Sequence, residues 1–159
     1  MMIPFDPNLD LEITRLLAAT PAKVWRCWTE PKLLQQWFAP KPWTTEDAAI
    51  DLRAGGRFYT KMASPEGAEF PGEGCLLDVV AGERLIFTDM MEAGFRPAAA
   101  PGLGFVAVIT MTAEGNGTRY VARTLHKSAE VRNSHAEMGF EVGWGTCADQ
   151  LGALAASLE

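Results

Sequence analysis

The sequence predicts an α+β fold in which an antiparallel sheet curls around one long C-terminal helix. Three observations carry this. Two helix-start signals, Thr20-Pro21 and Thr29-Glu30-Pro31, stand close together near the N-terminus. From Trp43 to His126 the pattern changes to short strands separated by glycine-containing turns, as in a meander of hairpins. After it, residues 128–158 read as one long helical stretch.

In chain order, residues 9–19 begin with alternation. Leu9, Leu11, Ile13 and Arg15 lie on one side and Asp10, Glu12 and Thr14 on the other, a period-two strand. Thr20 then caps a short helix with Pro21 at its first position, where the missing N–H is no loss. Val24, Trp25 and Trp28 share one side of it. The second short helix carries Leu33, Leu34, Trp37 and Phe38 along one stripe, so the pair forms a hairpin with an aromatic inner face. Residues 44–52 form a strand, and Ala54-Gly55-Gly56 is a tight turn or bulge. In RFYTKMA, Phe58, Thr60 and Met62 face one way and Arg57, Tyr59 and Lys61 the other. Strands over residues 73–80 and 84–91 follow, then a loop over residues 92–104 rich in alanine, glycine and proline. The final hairpin pairs residues 105–112 with 118–126 around Glu114-Gly115-Asn116-Gly117. There are no internal repeats, so residues 1–159 form a single domain with its ordered core over about 9–158.

Composition narrows the function classes. Hydrophobic residues make up 48% and charged residues 21%, enough for a real core without any run long enough to span a membrane. The N-terminal MMIPFDPNLDLEITR lacks a basic stretch followed by an apolar one, so no secretory signal is expected and the cytoplasm is the default location. A net charge of −6 and no basic stripe argue against nucleic-acid binding. Cys27, Cys75 and Cys147 are far apart and odd in number, which fits buried reduced thiols rather than disulfides or zinc. His126 and His135 are the only histidines and belong to no metal-binding pattern. Neither a metal nor a cofactor is implied.

Chemistry has to be sought in the last helix. HAEMGFEVGWGTCADQL contains Gly139, Gly143 and Gly145, and each helical glycine costs roughly 1 kcal/mol relative to alanine. Stepping about 100° per residue from Trp144 gathers Cys147, Ala148, Leu151, Leu154, Ala155 and Leu158 in an inward arc. Gly145, Gly152 and Ala156 form a stripe beside it, where backbone can approach backbone or space stay unfilled. Gly139 and Gly143 lie off that stripe and read as bend points. If the helix stays straight, Glu137 and Glu141 continue the inward line, and a carboxylate there needs a partner or water. They either line a hydrated pocket or are turned to solvent by a bend. Asp89 alternates with Leu85, Phe87 and Met91; it is either a ligand contact or satisfied at the end of the sheet.

Several stretches resemble a known family: DLRAGGRFYTKMASPEG, GERLIFTD, GFRPA and above all HAEMGFEVGWGTCADQL. They look like the START-like, or SRPBCC, superfamily, and within it the branch of activator of heat-shock protein 90 ATPase homologues, also called polyketide cyclase-like. The resemblance spans about residues 9–158, and the Gly55-Gly56 turn and Gly143-Trp144 pair recur in that family. It implies a helix-grip (Bet v 1-like) fold with an apolar cavity between sheet and C-terminal helix, partly closed by the two short helices. Members bind lipids, sterols, polyketides or other hydrophobic molecules, and function does not follow from the fold.

The expectation is therefore a non-catalytic binder of a small hydrophobic or amphipathic molecule. Trp37, Phe58, Met62, Phe87, Phe105, Phe140 and Trp144 are the candidate walls, with Asp89, Glu137 and Glu141 as polar contacts. One alternative is a cyclase- or hydrolase-type enzyme using one of those carboxylates as general acid or base. Another is a chaperone-modulating interaction module. Strand edges near Met62 or Met91 could pair in a homodimer, and residues 92–104 could form a lid with Phe95 at its tip.

Overall fold

The computed structural model describes residues 3–159. Strand β1 (Asp10–Leu17) leads into helices α1 (Pro21–Thr29) and α2 (Pro31–Leu34), each with proline in its first turn. Four strands follow: β2 (Thr44–Ile50), β3 (Arg57–Ala63), β4 (Glu69–Val80) and β5 (Arg84–Thr88). A two-residue hairpin, β6 (Met91–Glu92) and β7 (Arg96–Pro97), comes before the long hairpin of β8 (Phe105–Glu114) and β9 (Gly117–His126). Helices α3 (Ala129–Glu137) and α4 (Phe140–Ser157) complete the chain. The main sheet has seven strands in the order β1-β9-β8-β5-β4-β3-β2, and every pairing is antiparallel. This is the α+β architecture that the pattern predicts and the helix-grip fold that the resemblance implies.

Its layers follow from side-chain parity. Along β9, Thr118, Tyr120, Ala122, Thr124 and His126 are all buried, every second residue facing inward. On β3 the same parity turns Phe58 and Thr60 inward. Helix α4 closes the sheet with Phe140, Ala148, Leu151 and Ala155. The small-residue stripe of α4 is where β1 crosses it: a Cβ on Gly145 would meet the Arg15 guanidinium, and one on Gly152 would meet Leu17. Arg15 continues past Gly145 to Asp149, at 3.3 Å. The room beneath that stripe is thus filled by the sheet.

Several expectations are corrected. The C-terminal stretch is two helices, because Gly139 takes φ of +96°, a left-handed conformation that stops α3 and starts α4. Gly143, by contrast, stays inside α4 and bends nothing. Strand β5 ends at Thr88 rather than Met91, and β4 begins at Glu69 rather than Glu73. The free edges of the sheet are β1 and β2; Met62 lies on β3, paired on both sides. Residues 91–97 are pinned to the Gly55 turn, with Gly94 N–H donating to Gly55 C=O at 2.7 Å. The Phe95 ring lies directly over Gly55, where a Cβ would come within 2.8 Å of it.

Candidate functional site

Between the inner sheet face and α4 lies a cavity of about 580 Å³. Aromatic side chains from separate elements build its wall. Trp28 on α1 packs edge-on to Trp37, with centroids 4.9 Å apart, and Phe58 on β3 lies 4.5 Å from Phe87 on β5. On the other side Phe105 of β8 meets Trp144 of α4 edge-on at 6.2 Å, and Trp144 sits 5.3 Å from Phe140. The indole N–H groups of Trp28 and Trp37 are spent within the protein. Trp28 Nε1 donates to the Tyr120 hydroxyl (3.2 Å) and Trp37 Nε1 to the Cys27 carbonyl (2.9 Å). Gln150, on the far side of α4, fixes the segment after α2 by donating to the carbonyls of Trp37 and Ala39. Phe70, Glu73 and Met138 line the cavity yet are solvent-exposed, so they mark its mouth.

The sequence-predicted walls converge here: Trp37, Phe58, Met62, Phe87, Phe105, Phe140 and Trp144 all line the cavity. The carboxylates divide. Asp89 lies at the wall, but its two oxygens accept the backbone N–H groups of Gly104 (3.1 Å) and Phe105 (2.9 Å). It fastens the end of the 92–104 loop to the sheet. Glu137 and Glu141 are exposed and do not line the cavity, because the break at Gly139 ends the straight helical projection that aimed them inward. Glu141 occupies the first turn of α4, where the helix dipole favours a carboxylate. Of the proposed lid only Leu103 reaches the cavity; Phe95 does not.

Sequence reasoning passed over the main polar feature. His126 and His135 are both buried, and His126 Nε2 lies 2.9 Å from His135 Nδ1. The other nitrogen of His126 is 2.7 Å from the Leu9 carbonyl. His135 is 7% exposed and lines the cavity among Phe105, Phe140 and Trp144. Burial, with His126 adding to it, pushes the His135 pKa down to about 4. The signal was present in the strand parity, which puts His126 on the buried face of β9 and so demands a partner. Gly143, Tyr120 and Cys147 were also missed as lining residues. Burial pushes the Cys147 thiol up to about 12, so it is a protonated thiol rather than a nucleophile. A Cβ on Gly143 would meet nothing within 4 Å, which makes it an opening in the helix surface onto the cavity. Among the described residues no group of His, Cys, Asp and Glu is arranged to hold a metal ion.

A family model described as "Activator of Hsp90 ATPase homolog 1-like protein" matches residues 18–156. The chain belongs to this family. Among solved structures, a Nitrosomonas europaea protein is 46% identical over 94% of this chain and 96% of its own, with a TM-score of 0.91. A Rhodobacter sphaeroides protein at 21% identity, covering 99% of both chains with a TM-score of 0.83, has the same fold. So does a family member from Aeromonas hydrophila, at 24% identity over 95% of this chain and 96% of its own, with a TM-score of 0.71. Among curated proteins none matches. Family membership accounts for the helix-grip frame. The aromatic cavity and the histidine pair are properties of this chain's own side chains.

Proposed function

We propose that this family member binds one small hydrophobic or amphipathic molecule in the cavity and does no chemistry on it. The observation that carries this is about 580 Å³ of aromatic-walled space left unfilled in a domain of 159 residues. Protein interiors are normally close-packed, and pockets of roughly 300–1,000 Å³ are the size that encloses a small organic ligand. Burying about 200 Å² of apolar ligand surface contributes on the order of 5 kcal/mol at about 25 cal/mol per Å². The enzymatic alternative is weakened, since Asp89 already holds two backbone amides and Glu137 and Glu141 face water. Native mass spectrometry of protein purified gently from cell extract is expected to show a co-purified small molecule. A panel of apolar compounds is expected to raise its melting temperature. A ligand-free spectrum together with no shift across the panel would sink the reading.

A further inference from the structure

We infer that the cavity selects a neutral, largely apolar molecule bearing one O–H or N–H donor, and that this donor is anchored on Nε2 of His135. The inference rests on the cavity being a ligand site. The anchor's polarity is set from outside the cavity. The Leu9 carbonyl can only accept, so its 2.7 Å contact with His126 Nδ1 places a proton on that nitrogen. Donation from His126 Nε2 as well would put a second proton, and a positive charge, on a ring only 6% exposed whose two nitrogens face a carbonyl and another imidazole, so Nε2 accepts. Its partner at 2.9 Å, His135 Nδ1, must therefore be the donor. That leaves His135 Nε2 with a lone pair and no hydrogen.

The two nitrogens of an imidazole diverge, so with Nδ1 on His126 the Nε2 points away from it, and the ring has Phe105, Phe140 and Trp144 as its aromatic neighbours. Among the described residues no donor reaches it. This nitrogen is not among the fully buried side-chain atoms left without a partner, so it keeps access to the cavity that His135 lines, where a ligand O–H or N–H can reach it. Burial keeps this ring neutral at ordinary pH, so it offers a lone pair rather than a positive charge.

Charge excludes the other ligand classes. Among the described residues no lysine or arginine lines the cavity, and the carboxylates that do are Asp89 and Glu73. An anionic head would find no counter-charge. A cationic head would lose its water to a wall where Asp89 is occupied by backbone amides and Glu73 is paired with Arg57.

The probes are naphthol, its methyl ether and naphthoate, with affinities measured by quenching of tryptophan fluorescence on the intact protein. Naphthol is expected to bind about tenfold more tightly than the ether, the effect of one added hydrogen bond, and naphthoate more weakly than either. In His135→Phe the ratio of the naphthol affinity to the ether affinity is expected to fall below about twofold. Proton–nitrogen correlation spectra of the unliganded wild type at neutral pH are expected to show the His135 proton on Nδ1. A proton on Nε2 there, or equal affinities for naphthol and ether in the wild type, overturns the anchor while leaving the cavity a ligand site. Binding of none of the probes would count against the cavity reading itself, and the anchor would fall with it.

Discussion

Gly143 and Gly145 stand two residues apart on α4 and do opposite things. Gly145 makes way for Arg15, whereas Gly143 has open space above it and borders the cavity. Alanine at Gly143 is therefore expected to stabilise the fold by up to about 1 kcal/mol through helix propensity. Leucine there would occupy ligand space; chemical denaturation and ligand titration on both variants check the separation. If Gly143→Leu binds apolar ligands as well as the wild type, the cavity is not where they sit. His135 gives a second test. Its pKa is about 4 in the fold against 6.5 for an ordinary histidine, so between those values the unfolded chain holds more protons. His126 and Asp89 are the titratable neighbours, the first deepening the depression and the second opposing it. Stability therefore falls as pH drops from about 6.5 toward 4, by at most about 1.4 kcal/mol per pH unit, and this contribution is flat above 6.5. Denaturant midpoints at about pH 7 and about pH 5 are expected to differ more in the wild type than in His135→Phe. The glycines stood out in the sequence and strand parity put His126 inside, but which neighbour each one meets depends on contacts that no local pattern encodes.

Strands and short helices were legible because each has its own local cause. Alternation gave the faces of β1 and β3, and Pro21 and Pro31 gave the starts of α1 and α2. The boundary between α3 and α4 was not legible, since glycine within a helical pattern can be a defect, a gap or a stop. At Gly139 it is a stop, and with it the inward projection of Glu137 and Glu141 fails. Helix α3 is held by a few identifiable contacts. Ser128 caps it, Arg132 reaches the Asp10 carbonyl at 3.4 Å, and His135 meets His126. Such an element opens at lower free energy than one buried along its length. Amides in the body of α3 are expected to exchange hydrogen at least about tenfold faster than those of α4 around Leu151. Equal protection would mean that the two helices open as one unit.

At the scale of the molecule, the sheet, α1–α2 and α4 form a frame whose interior has been left partly vacant. A ligand that fills it stabilises the native state by mass action, so the melting temperature is expected to climb with ligand concentration without saturating at stoichiometry. Cys147 supplies an internal reporter, because Cys27 and Cys75 are fully buried while Cys147 lines the cavity. Its alkylation by a neutral maleimide is expected to be slow, and slower still with the cavity occupied. Labelling that ignores a bound ligand would place the ligand elsewhere. The break at Gly139 also bears on how long a ligand stays. Met138, 70% exposed at the mouth, and His135 both belong to the short segment that ends at the break, between the last strand of the sheet and α4. Release past Met138 is expected to depend on that segment more than on an edge strand of the sheet, so residence time and melting temperature are expected to respond to different parts of one chain, which dissociation rates measured beside melting curves check. Substitutions that harden β1, which contributes nothing to the cavity lining, are expected to raise the second while leaving the first where it was.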